Sequence, residues 1–135
     1  MMTDNKYFFD TALFIYALEN ASVPARSLFE NANRTGRMVT STVSILEYCT
    51  GCYKNGRSEL VDRFLSFLND FGFEIVNIGS KVSLEAARIR GLYQSFKSMD
   101  ALQLASAICS GCGVFYTNDL QLLQFKRPGF SVLSM

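Results

Sequence analysis

The chain has 135 residues, of which 49% are hydrophobic and 19% charged, with a formal net charge of +1. This length suits one domain spanning residues 1–135, whose core needs no disulfide or metal ion to fold. The charge excludes a strongly basic nucleic-acid coat, although a local basic patch stays possible. The N-terminus shows no export signal, and no stretch is apolar enough to predict a membrane span, so we expect a cytoplasmic protein.

The first half of the chain alternates short apolar runs with helical patterns. In chain order it predicts a strand over 7–10, helices over 12–19 and 23–36, a strand over 37–41, and helices over 42–51 and 57–72. Pro24 near the start and Gly36 at the end delimit the second of these helices. The last helix should bury one apolar face, made of Leu60, Phe64, Leu65 and Leu68.

The second half continues the alternation. It predicts a strand over 73–78, helices over 80–96 and 98–111, a strand over 114–117 and an edge strand over 130–133. The helix over 98–111 is apolar almost all round and should be buried. Strands that alternate with helices indicate an α/β layer fold with a mainly parallel sheet. In such sheets, ligands bind at the carboxyl ends of the strands.

Four acids, Asp10, Glu47, Asp100 and Asp119, lie in the most apolar parts of the chain, in stretches that carry no other charge. Burying an isolated carboxylate costs free energy unless it finds a partner. Grouping these acids around a divalent cation would supply one, and oxygen ligands without imidazole favour Mg²⁺ or Mn²⁺. Glu74, in an alternating strand pattern, should instead face solvent.

Each of the four acids also has a local structural interpretation. Asp10 and Asp119 are placed to cap the helices that follow them. Asp100 follows Ser98, a candidate N-cap, and lies where the helix dipole favours an acid. Ser44 and Glu47 have the spacing of a capping box. Any one acid is explained this way, but four such coincidences in uncharged stretches favour a shared site.

The segments "YFFDT", "STVSILEYCTG", "MDALQLASAI" and "FYTND" occur in the order and at the spacing typical of one family. Together they resemble the PIN domain, and the chain length is similar to that of VapC-type toxins of prokaryotic toxin–antitoxin pairs. The resemblance implies a three-layer α/β/α domain with ribonuclease activity. It also implies an acidic metal site at the carboxyl end of the sheet.

By the same resemblance, Asp10, Glu47, Asp100 and Asp119 match the acidic quartet of the family. Thr117 matches the hydroxyl residue that orients the quartet, Thr11 the threonine after the first Asp, and Asn118 a frequent asparagine. The chain departs from the family at Ala12, where Asn or Ser is common, and at Gln121, where many members carry a further acid. The second departure favours one tightly held metal ion over two.

The absence of histidine shapes the predicted chemistry. Cleavage through the 2′-hydroxyl by two imidazoles is unavailable, which leaves metal-assisted attack of water on the phosphodiester. We expect Asp10, Asp100 and Asp119 to hold the metal and Glu47 to position or activate the water. The resemblance implies products with a 5′-phosphate and a 3′-hydroxyl.

Contacts with RNA are predicted for Arg88, Arg90 and Lys97, which precede Asp100 in a stretch without acids. A solvated helix face explains the same three residues equally well. A cognate antitoxin or a second copy of the chain is expected to cover the aromatic surface of "ALFIYAL" (12–18) and of the Phe-rich helix over 60–71, unless those residues simply fill the core.

Two further functional hypotheses stay open. One is a non-catalytic RNA-binding module with the same fold. The other is a zinc-organised interaction domain, suggested by "CTGC" (49–52) and "CSGC" (109–112). The separation of these pairs is much longer than in a compact zinc ribbon, and cysteines at helix ends are often small buried apolar residues.

Overall fold

The computed structural model describes residues 5–135, which build a parallel β-sheet with helices on both faces. The strands are β1 (Lys6–Phe9), β2 (Arg37–Ser41), β3 (Glu74–Val76), β4 (Val114–Thr117) and β5 (Ser131–Ser134). The helices are α1 (Thr11–Leu18), α2 (Val23–Thr35), α3 (Thr42–Lys54), α4 (Glu59–Asp70), α5 (Ser80–Leu92) and α6 (Ser98–Cys109), and a 3₁₀ helix spans Leu120–Gln124. None of these helices is long and apolar enough to cross a bilayer.

The strand order is β3-β2-β1-β4-β5, and each neighbouring pair is parallel. The predicted three-layer α/β/α architecture is therefore confirmed, with β5 at one edge. Because every strand runs the same way, the carboxyl ends of β1, β2 and β4 meet at one edge of the sheet.

The alternation of side chains along β1 supplies a core on each face of the sheet. Phe8 stacks on Phe115 of β4 with ring centroids 5.2 Å apart, on the side covered by α5 and α6. Phe9 stacks on Phe29 of α2 at 4.4 Å, on the side covered by α1 to α4. Both phenylalanines of β1 are fully buried, and each such burial contributes roughly 1.5–3 kcal/mol.

Details of three predicted helices were wrong, and the helix predicted over 80–96 ends at Leu92. Helix α3 continues past Gly51 to Lys54, because Cys52 still packs into the core beyond the glycine. Leu65 is 42% exposed, whereas Phe64 and Leu68 are buried as predicted. The apolar stripe of α4 turns toward Phe67 instead, which packs partly buried against the same core.

The cysteine pairs lie on opposite faces of the sheet. Cys49 and Cys52 belong to the core beneath α1 to α4, whereas Cys112 belongs to the other core and Cys109 packs against it. Burial raises the pKa of the Cys112 thiol to about 11. The four thiols therefore cannot share a zinc ion, and they serve as small buried side chains.

Candidate active site

Asp10 follows directly on β1 and is only 9% exposed. Its backbone N–H donates to the Tyr116 carbonyl at 3.0 Å, which ties the end of β1 to β4. Thr117, the last residue of β4, is fully buried and donates its hydroxyl to Asp10 Oδ2 at 2.9 Å. The parallel pairing of β1 with β4 thus creates the contact between two residues predicted to belong to the site.

Asp10 also caps α1, since its Oδ1 accepts the Thr11 N–H at 2.8 Å. The local interpretation and the site interpretation are therefore compatible for this residue. Burial raises the pKa of Asp10 to about 6, the bonds from Thr117 and Thr11 oppose the rise, and the negative charges of Asp100 and Glu47 add to it. A buried carboxylate with two acids near it favours a cation at this position.

Asp100 lies in the first turn of α6 and is partly buried. Lys97 occupies the N-cap without a side-chain bond, so the prediction of Ser98 as cap was wrong. Burial raises the pKa of Asp100, and the charges of Asp119 and Glu47 raise it further, while Lys97 lowers it. Asp100 is therefore close enough to Asp119 and Glu47, as Asp10 is to Asp100 and Glu47, for their negative charges to repel one another.

Glu47 is an exposed residue of α3 that accepts the Thr11 hydroxyl on Oε1 at 2.6 Å. The predicted capping box was wrong, because α3 begins after Ser41 and Ser44 lies buried inside the helix. The hydroxyl of Thr11 instead fixes Glu47 beside Asp10. A residue that the family resemblance singled out therefore joins two of the acids.

Asp119 caps the 3₁₀ helix, since its Oδ1 accepts the Gln121 N–H at 3.0 Å. Its own backbone N–H donates to Thr117 Oγ1 at 3.0 Å. Thr117 therefore links Asp10 and Asp119 through one hydroxyl. The Asn118 amide, by contrast, donates to the Tyr16 hydroxyl at 2.7 Å.

Gln103 belongs to this network and was missed by sequence reasoning. It is 1% exposed, one helical turn after Asp100. Its Nε2 lies 2.8 Å from Ser44 Oγ and 3.3 Å from Asp10 Oδ1, and its Oε1 accepts the Ser41 hydroxyl at 2.5 Å. The one signal in the sequence is a lone Gln within an otherwise apolar helix, since buried amides require partners.

The three predicted RNA contacts have different surroundings. Arg88 pairs with Glu85 at 2.9 Å on the exposed face of α5. Arg90 donates to the Phe96 carbonyl and to Ser98 Oγ, both at 3.1 Å, which holds the α5–α6 loop. Lys97 acts electrostatically on Asp100. Lys97 therefore lies near Asp100, whereas Arg90 stabilises the α5–α6 loop.

The donor set of the site consists of carboxylate oxygens, which suits Mg²⁺ or Mn²⁺. Within residues 5–135, however, no three acidic or cysteine side chains stand close enough to form a ready metal cage. Asp10 Oδ2 accepts one hydrogen bond, so it keeps a free lone pair. The residues fit a divalent ion by charge and donor type.

Comparisons with solved structures show the same fold in bacterial toxin–antitoxin complexes. VapBC2 from Rickettsia felis, bound to a promoter DNA fragment, superposes with a TM-score of 0.79 at 18% identity over 96% of this chain and 98% of that one. DNA-bound VapBC from Salmonella typhimurium gives 0.73 at 23% identity over 96% and 98%. A toxin–antitoxin complex from Klebsiella pneumoniae gives 0.72 at 22% identity over 94% and 95%.

No curated protein sequence is similar enough to this chain to count as a match. The PIN domain family, in contrast, matches residues 7–129, from β1 to just before β5. That range includes the four acids, Thr117 and Gln103. The chain therefore belongs to the PIN domain family.

Proposed function

We propose that this protein is a metal-dependent endoribonuclease that cleaves RNA phosphodiesters and acts in the cytoplasm as the toxin of a toxin–antitoxin pair. The observation that supports the proposal is that Thr11 links Asp10 to Glu47 and Thr117 links Asp10 to Asp119, while burial and the charges of neighbouring acids raise the pKa of Asp10 and Asp100. Members of the PIN family are generally nucleases, which supports the reaction class.

In this proposal Asp10, Asp100 and Asp119 hold Mg²⁺ or Mn²⁺. When bound, the ion supplies Lewis-acid activation of water and neutralises charge on the phosphate. Thr117 holds Asp10 and Asp119 in fixed relative positions, because its hydroxyl donates to the Asp10 carboxylate and accepts the Asp119 N–H. Glu47, held by Thr11, accepts the proton of the attacking water at the exposed side of the site.

In this proposal RNA is held by Lys97, beside Asp100, and by basic side chains that pair with Glu85 of α5. Lys97, next to the start of α6, binds a phosphate close to the scissile bond. Arg88 and Arg127 share the carboxylate of Glu85 at 2.9 and 3.3 Å. In the proposal these two side chains contact phosphates farther along the RNA. Arg90 contributes indirectly by fixing the loop that carries Lys97. Lys97→Gln should flatten the dependence of RNA affinity on salt by about one unit of log–log slope.

A cognate antitoxin is the proposed protein partner, in keeping with the solved complexes that share this fold. A groove of about 220 Å³ between α1, α2 and α4 offers an apolar surface for it, lined by Ala17, Leu18, Phe29, Phe67 and Phe71 with Arg26 and Glu30. Phe67→Lys should block copurification of a small protein encoded beside this gene. If instead the chain elutes as a dimer that Phe67→Lys splits, the groove joins two copies of the chain.

Cleavage of a mixed RNA pool tests the proposed activity. We expect the wild type to cleave RNA with Mg²⁺ or Mn²⁺ and to be inactive in EDTA. The Asp100→Asn variant should not cleave RNA with either metal ion. Asp62→Asn, which removes an exposed acid of α4, is the matched control and should cleave normally. Equal cleavage by wild type and Asp100→Asn would refute the assignment. Folded wild type that binds RNA without cleaving any of it, with either metal, would support the non-catalytic RNA-binding alternative.

A further inference from the structure

The buried side of the acidic site is closed by the amide of Gln103. This side chain reaches groups from four separate elements, namely Asp10 after β1, Thr11 of α1, Ser41 of β2 and Ser44 of α3. Its distances to these partners are 3.3, 3.4, 2.5 and 2.8 Å in that order. A single amide therefore joins the elements that carry three of the four acids.

The orientation of the amide is set by its neighbours. Asp10 Oδ1 is an acceptor, so the group that faces it at 3.3 Å has to be the Nε2 donor. The Thr11 hydroxyl already donates its proton to Glu47, so toward Gln103 it can only accept. The Gln103 oxygen is then left for the Ser41 hydroxyl. An acid at this position would lose the donors and place another negative charge beside Asp10.

Gln103 and Asp100 stand three residues apart on α6 and so lie on one face of the helix. The bond from Gln103 to Asp10 consequently fixes how far the first turn of α6, with Asp100, stands from the end of β1. We infer that Gln103 is a positioning residue that orients the Asp10 carboxylate and sets its separation from Asp100. The part of this inference that concerns metal binding rests on the proposed function, whereas the contact between Gln103 and Asp10 is independent of it.

A double-mutant cycle without metal tests the contact itself. In EDTA at pH 8, Gln103→Met should lower the melting temperature of the wild-type background by at least about 3 °C more than that of the Asp10→Asn background. The reason is that hydrogen bonds to charged acceptors are the stronger ones. Ser106→Ala removes another buried polar group of α6, one bonded to the Leu102 carbonyl, and should act equally in both backgrounds. Equal losses for Gln103→Met in both backgrounds would overturn the inference. If that variant fails to fold, Gln103→Asn, which is too short to reach all partners, takes its place.

Mn²⁺ titration by calorimetry tests the consequence for the site. Loss of a side chain that orients a metal ligand typically weakens affinity 10- to 100-fold, and we expect a dissociation constant raised by that factor in Gln103→Met. Leu104→Ala empties a fully buried position next along α6 without touching Asp10, and its affinity should stay within about twofold of wild type. Unchanged affinity in Gln103→Met, or an equal loss in Leu104→Ala, would overturn the positioning role. If wild type binds no Mn²⁺ while the cycle still shows coupling, the metal-dependent function fails and the Asp10 contact stands.

Discussion

Replacing Asp10 with Asn should stabilise the protein in the absence of divalent ions, and only at neutral or alkaline pH. The pKa of Asp10 rises from 3.8 to about 6 on folding, mainly through burial. Folding favours the protonated form of an acid whose pKa is raised in the folded state. The contribution of Asp10 to the free energy of unfolding is therefore greatest below pH 4, falls between pH 4 and 6, and stays low above that range. Asn carries no charge and escapes this loss.

The shift of about two pKa units corresponds to about 3 kcal/mol of destabilisation in the wild type at pH 8. At pH 4 most of that penalty is absent, so the stability difference between Asp10→Asn and wild type should change by about 2–3 kcal/mol from pH 4 to pH 8. Asn keeps one acceptor oxygen where Asp has two, and the bond from Thr117 is then weakened. We therefore expect a variant about 1 kcal/mol less stable at pH 4 and about 2 kcal/mol more stable at pH 8.

Urea unfolding in EDTA at pH 4, 6 and 8 measures these free energies directly. Asp62→Asn, at an exposed position, serves as control and should show a small difference that does not vary with pH. A constant difference between Asp10→Asn and wild type across the range would refute the reasoning, since it would mean that the Asp10 carboxylate is not penalised on folding. Added Mn²⁺ should reverse the order at pH 8 if this acid binds the ion.

Substitutions at four further positions probe the site and the fold that supports it, each by thermal or urea unfolding. Thr117→Val removes the hydroxyl that donates to Asp10 and should cost about 1–3 kcal/mol, whereas Thr117→Ser should cost less than half of that. Phe64→Ala empties a fully buried position of α4 and should cost about 3–5 kcal/mol; a loss below 1 kcal/mol would contradict its place in the core. Gly36→Ala should destabilise because a Cβ would overlap the backbone carbonyl just before β1, while Gly51→Ala, in open space within a helix, should gain about 0.5–1 kcal/mol; the reverse order would contradict both assignments.

The sequence determined the architecture because its periodicities are local properties. The strand over 114–117 and the strand over 37–41 have the predicted bounds, and the parallel order follows from the alternation of strands with helices. The acids were recognisable for a related reason: Asp10 and Asp119 follow closely on apolar strands, where an ionised side chain is expensive without a partner. Pattern and composition along the chain suffice for both inferences.

Only the tertiary structure decided how the site is held together. Ser44 and Glu47 have the spacing of a capping box, yet the helix starts earlier and Glu47 bonds to Thr11, 36 residues away in sequence. In the sequence, Gln103 is one residue of an otherwise apolar helix, and only the folded structure shows its contact with Asp10. Similarly, the cysteine pairs resemble a zinc site until the sheet separates them. Contacts between residues far apart depend on the packing of layers, which local periodicity does not encode.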